Sequence, residues 1–155
     1  MKQDRALFVI LGVVLVLICV SLLLFYLRAD DTSYVSDNTP QGVTHNYVLA
    51  VLNEDYQKAY GYLSDTPDKP TYNEFKSTFL SERAYTTSTG VQIGNTNIVD
   101  HEAIVELTII HGGSAPFEST WNESGDAWLV SQESQWQLTY FPYPFWGWDW
   151  YSETP

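Results

Sequence analysis

Cysteine is almost absent: Cys19 stands alone, inside an apolar run. That excludes a disulfide framework, a thiolate iron–sulfur site and a CxxCH haem attachment. Basic residues are scarce too. Seven lysines and arginines face 19 acids, a formal net charge of −12. Past Arg28 the bases are Lys58, Lys69, Lys76 and Arg83, with every acid but Asp4 on that side. Nucleic-acid binding needs a basic footprint and is excluded, and adhesion to anionic lipid fails for the same reason. The three histidines, His45, His101 and His111, lack metal-ligand spacing. No carboxylate pair and no nucleophile with a recognisable base stands out. The chain is therefore expected to hold no metal, cofactor or catalytic residue, and not to be an enzyme.

What is present begins with apolar length. Residues 6–27, ALFVILGVVLVLICVSLLLFYL, carry no charge. As a helix they reach about 33 Å, enough for a bilayer core. A cleaved signal peptide has a shorter core and a small-x-small site, whereas Leu27-Arg28-Ala29 is a poor one. A lipidated Cys19 is disfavoured because Val16-Leu17-Ile18 lacks a small residue before it. The expectation is an uncleaved single-pass anchor. Lys2 and Arg5 put the N-terminus, residues 1–5, in the cytoplasm, and the acidic remainder is extracytoplasmic, periplasmic or at the cell surface. Gly12 and Ser21 offer small-residue contacts for lateral helix packing.

Residues 28–39 are polar and read as a tether. Thr39-Pro40 offers an N-cap with proline in the first turn. Val43, Tyr47, Ala50 and Val51 then share one helical face. Asn53 caps a second helix, or a kinked continuation, carrying Tyr56, Ala59, Tyr60 and Leu63. After a loop over 64–70, Thr71 and Glu74 form a capping box for a third helix buried through Tyr72, Phe75 and Phe79. From Gly90 the period becomes two. One strand carries Val91 and Ile93, Asp100-His101-Glu102 turns, and Ala103–Ile110 follows. Next comes a strand from Phe117 to Gln132, broken near Ser124-Gly125-Asp126. Glu133-Ser134 turns tightly into a last strand with Trp136, Leu138 and Tyr140 on one face. The pattern is α+β: three helices, then a four-stranded antiparallel meander.

The stretch 47–64, YVLAVLNEDYQKAYGYLS, resembles the opening of NTF2-like domains. The capped 71–79 helix resembles their third helix, and 127–142, AWLVSQESQWQLTYFP, their closing hairpin. The likeness spans 40–142 and is nearest to membrane-anchored bacterial envelope members. It implies helices on a curved antiparallel sheet, forming a cone with a pocket at its open end. It does not imply one function, because that fold hosts isomerases, dehydratases, assembly modules and carriers. Enzymes of the type place an Asp, Tyr or His inside the cone. Asp100 and His101 sit at a turn and His111 at a strand end, where surface roles are expected. Tyr47, Tyr60 and Phe79 are the possible pocket residues, or else they fill the cone.

The tail, 143–155, overlaps a run of eight aromatics in twelve residues, YFPYPFWGWDWY over 140–151. If extended, it would align Trp146, Trp148 and Trp150 on one side. With Tyr143 and Phe145 they form the expected partner-binding surface, against readings as a sheet cover, a membrane-interface belt or a carbohydrate platform. Asn122-Glu123-Ser124 is a formal glycosylation sequon. The leading expectation is a non-enzymatic accessory subunit that packs against integral membrane subunits. By analogy its host is a respiratory or photosynthetic electron-transfer complex, and the acids could steer a basic soluble partner. A small-ligand binder or sensor using the cone, and an isomerase or dehydratase, are the alternatives.

Overall fold

The computed structural model describes residues 2–27, 33–112 and 119–151. The chain divides into two units, 1–33 and 34–155. The first holds α1, Lys2–Leu27. Its side chains are described over residues 10–23, and all are exposed. Among the described residues no helix is long and apolar enough to cross a membrane. The anchor expected over 6–27 therefore rests on the sequence and not on the fold.

The second unit begins earlier than expected. Residues 35–37 are fastened to α2 (Pro40–Leu52) by one side chain. Val35 N donates to Asn46 Oδ1 at 2.9 Å, and Asn46 Nδ2 donates to Val35 O at 2.8 Å and to Asp37 Oδ1. The amide pairs with the chain as a strand would. The 28–39 tether is thus corrected at its C-terminal end, while residues 28–32 lie outside the described ones.

Thr39 caps α2 as expected, its hydroxyl accepting from Gly42 N at 3.1 Å. The expected single buried face is corrected. Thr44, Asn46, Tyr47, Val48 and Leu49 are buried along with Val43, Ala50 and Val51. A helix hidden on nearly all sides sits at the centre of a fold rather than on its surface. After Glu54, at φ 60, α3 runs Tyr56–Gly61 as a separate helix. Its cap is Asp55, not Asn53. The capping box at Thr71 and Glu74 opens α4, Tyr72–Ser81. A short α5, Arg83–Thr87, was not legible in the sequence.

β1 (Thr89–Val99), β2 (Glu102–His111), β3 (Trp121–Gln132) and β4 (Gln135–Tyr140) form an antiparallel sheet in the order 1-2-3-4. The fold is α+β, as expected. β3 is unbroken through Gly125, which faces the ring of Pro142; a Cβ there would come within 2.8 Å of Pro142 Cγ. The expected beginning of this strand at Phe117 lies outside the described residues. Glu133 (φ 49) and Ser134 (φ 67) make the two-residue hairpin turn, whose positive φ angles match the twist of the strands. At the open edge, Ser64 N donates to Leu138 O and Leu138 N to Tyr62 O, both at 2.8 Å.

The inward rows Ala103, Val105, Leu107, Ile109 and Ala127, Leu129, Leu138 pack with α2–α4. Phe141, Phe145, Trp146 and Trp150 belong to the same core. The tail is part of the domain rather than an appendage.

Candidate binding cleft

The three expected pocket residues are filled in by their own surroundings. Tyr47 is fully buried, its ring centroid 5.4 Å from Phe141 and 6.4 Å from Trp146. Its hydroxyl donates to Phe145 O at 2.6 Å. Burial, then the neighbouring Tyr151, pushes its ionisation well above the ordinary tyrosine range. Phe79 lies parallel to Tyr56 at 6.0 Å and edge-on to Phe75 and Trp150. Tyr60 packs edge-on against Tyr72 and Phe75 and donates to Pro70 O at 2.8 Å. Tyr47 and Phe79 belong to the core and Tyr60 packs half-buried against it, each enclosed by aromatic neighbours.

The tryptophan stripe is corrected as well. The segment is not extended: turns at 143–144 and 148–151 fold it back. Phe145 is 0%, Trp146 5% and Trp150 6% exposed, so these three are unavailable to a partner. Trp148 is 86% exposed and Tyr143 37%, with ring centroids 5.9 Å apart. Of the five residues expected to bind a partner, these two reach the surface.

The polar candidates do not converge. Asp100 (φ 54) and His101 are exposed in the β1–β2 turn, where His101 O accepts from Ser131 N at 2.7 Å. His111, at the far end of β2, stacks on Trp121 with centroids 3.8 Å apart and lies 3.2 Å from Glu123. His45 is half-buried on α2. Asn122 of the sequon is exposed on β3 opposite Ile110. Among the described residues no three metal-ligating side chains come together.

An open cleft of about 450 Å³ exists elsewhere, at the end of the sheet where β2 begins and β4 ends. Its framework is a register row. Ile104 pairs with Trp128, and Trp128 with Tyr140, across β2, β3 and β4. All three side chains are close to 40% exposed. Strict alternation would put Tyr140 on the buried face with Leu138. A register shift between Trp128 and Leu129 places it opposite Trp128 instead, and their centroids are 5.5 Å apart. Ala103, Leu129 and Val130 add aliphatic surface, and Trp150 and Tyr151 bring in the tail.

Tyr151 is fixed by its ring, stacked on Trp146 at 5.5 Å, and by its hydroxyl, which donates to Ser64 O at 2.6 Å. Burial, the largest cause, pushes its ionisation up to about 12, so it stays neutral at physiological pH. The polar lining is Thr66, Thr139, Asp68 and Glu102. Thr139 donates to Trp128 O at 3.2 Å. Thr66 Oγ1 is buried without a partner among the described residues. Both acids are exposed, and none of the lining residues is basic. The arrangement can hold an apolar or aromatic body against rings, with carboxylates at the rim. It offers no nucleophile–base pair. Sequence reasoning missed it because the cleft depends on a bulge and on the fold of the tail, neither of which leaves a periodic signal.

No family model and no curated protein matches this chain. Solved structures resemble it at low identity. A SEC-C motif protein of Rhodopseudomonas palustris is 9% identical, with 67% of this chain and 77% of that one covered and a TM-score of 0.48. An NTF2-like protein of Campylobacter jejuni is 16% identical, with 64% and 96% covered and a TM-score of 0.42. An uncharacterised cystatin-fold protein of Novosphingobium aromaticivorans is 10% identical, with 67% and 97% covered and a TM-score of 0.43.

Proposed function

We propose that this chain is a membrane-anchored, non-enzymatic binding domain of NTF2-like type. Residues 6–27 hold it in the membrane with the N-terminus cytoplasmic and the acidic domain outside. The observation that carries the binding reading is the aromatic cleft of about 450 Å³ beside a core that includes the tail's own Phe145, Trp146 and Trp150. That volume lies within the range of small-molecule sites, and its lining is mainly apolar with a few polar groups, as such sites require. Thr139→Trp, at a half-buried strand position on the cleft wall, serves as a blocking variant. The test is a fragment screen by ligand-detected NMR on the full chain in a non-ionic detergent. Fragments bound by the native protein and lost in T139W support the reading. Fragments unaffected by T139W, or no binding at all, overturn it.

A second reading keeps the accessory-subunit role, favoured by the 86% exposure of Trp148 on a segment whose neighbours Phe145, Trp146 and Trp150 are buried in the core. A large aromatic presented to solvent on a fixed support suits a hot spot for an integral membrane partner. Trp148→Ala would then release the protein from its native complex while leaving its fold intact. Unchanged stoichiometric co-purification would refute this docking role.

A further inference from the structure

Resting on the binding reading above, we infer that the cleft selects small organic cations with an apolar body, of the quaternary or alkylated ammonium class. Three features of the cleft point to that chemistry. The first is its rings. Trp128 and Tyr140 stand side by side on adjacent strands, half-exposed, with the half-buried Tyr151 also in the wall. A cation within about 6 Å of such a face is held by the ring quadrupole, and tryptophan is the strongest partner.

The second is charge. Asp68 and Glu102 are the ionisable acids of the lining, no lysine, arginine or histidine accompanies them, and the chain carries a net −12. An anion would meet repulsion without a partner, whereas a cation is steered inward. The third is hydrogen-bonding capacity. The hydroxyl protons of Thr139 and Tyr151 are already donated to Trp128 O and Ser64 O. Thr66 keeps a hydroxyl without a partner among the described residues, while Asp68 and Glu102 add carboxylate acceptors, so the lining's balance leans toward acceptors. A sugar needs both, but a cation needs only acceptors and rings.

The domain holds two of its own lysines in this way. Lys58 Nζ sits 3.1 Å from the Tyr34 ring centroid and Lys69 Nζ 4.6 Å from that of Tyr60. Lys69 is also held by Asp65 and Leu63 O, so it is engaged outside the cleft.

The experiment uses choline and its neutral isostere, with the ammonium nitrogen replaced by carbon. Binding to the full chain in a non-ionic detergent is read by tryptophan fluorescence and by NMR saturation transfer. Choline is expected to bind at least about tenfold more tightly than the isostere, an advantage that shrinks with added salt. Glu102→Gln and Asp68→Asn should each weaken choline about three- to tenfold. Trp128→Leu, at an exposed position that leaves the core untouched, should abolish the preference. Asp126→Asn, an exposed acid outside the cleft lining, should change nothing. Equal affinity for the two probes, or choline binding indifferent to E102Q and D68N, overturns the cation proposal. If fragments still bind in a T139W-sensitive way, the cleft remains a binding site of another specificity. If neither fragments nor choline bind, both readings fall.

Discussion

Tyr47 and Phe145 are 98 residues apart in sequence and joined by a buried hydrogen bond, from the tyrosine hydroxyl to the phenylalanine carbonyl at 2.6 Å. This bond ties the centre of α2 to the tail and supplies a donor to a carbonyl buried inside the core. Tyr47→Phe keeps the ring and removes the donor. A buried carbonyl left without a partner costs about 1–3 kcal/mol. Denaturant unfolding of the full chain should show that loss, with faster proteolysis of residues 141–151 under native conditions. A variant as stable as the native protein would mean that the tail is held by packing alone.

Gly147 is a second point of control. A Cβ built on it would collide with the indole of Trp150, at Cε2, Nε1 and Cδ1. That ring cannot swing away freely, because it lies stacked on Phe75 at 5.1 Å and against Trp146 at 5.2 Å. Gly147→Ala is therefore expected to destabilise by about 1–3 kcal/mol through overpacking. It should also red-shift tryptophan emission as Trp150 moves toward water. Native stability with an unshifted spectrum would contradict the placement of Trp150.

The sequence made local chemistry legible and left long-range placement obscure. Thr39-Pro40 and the Thr71–Glu74 box announce helix starts because caps are written in the residues that form them. The meander is legible because alternation and turn residues are local too. The expected partner surface failed at Phe145, Trp146 and Trp150 for a different reason. Trp146 and Trp150 pack on Tyr47 of α2 and Phe75 of α4, rings remote in sequence, and Phe145 is tied to Tyr47 through its carbonyl. The cleft was hidden likewise: one bulge moves Tyr140 from the face of Leu138 to that of Trp128. A single inserted residue reverses sidedness without disturbing composition or period.

Trp148 and Trp150, two residues apart, should respond in opposite ways to the same substitution. Trp150 touches Phe75, Phe79 and Trp146 inside the core. Trp150→Ala leaves a large cavity and should cost about 3–5 kcal/mol. Trp148 is 86% exposed, so Trp148→Ala should stay within about 0.5 kcal/mol of the native stability. Paired thermal unfolding of the two variants checks this. Equal losses would show that Trp148 is also packed, and would remove the surface aromatic on which the accessory-subunit reading depends.

High pH should unfold the domain through its buried tyrosines. Tyr62 and Tyr151 are each pushed from 10.0 to about 12, chiefly by burial, with Asp37 adding to Tyr62. Below pH 10 both tyrosines are neutral in the folded and unfolded chains, and their contribution to stability is fully present. Between 10 and 12 the unfolded chain loses these protons while the folded one keeps them. The folded state then binds more protons, so stability falls as pH rises through this window. Melting temperature should decline across it, and tyrosinate absorbance should show a class of residues titrating late. Tyr62→Phe should flatten the decline, and Asp37→Asn should bring the Tyr62 titration closer to 10.0. If every tyrosine instead ionises together near 10.0 while the domain stays folded, the hydroxyls of Tyr62 and Tyr151 are solvated, and their contacts with Asp37 and Ser64 do not persist in solution.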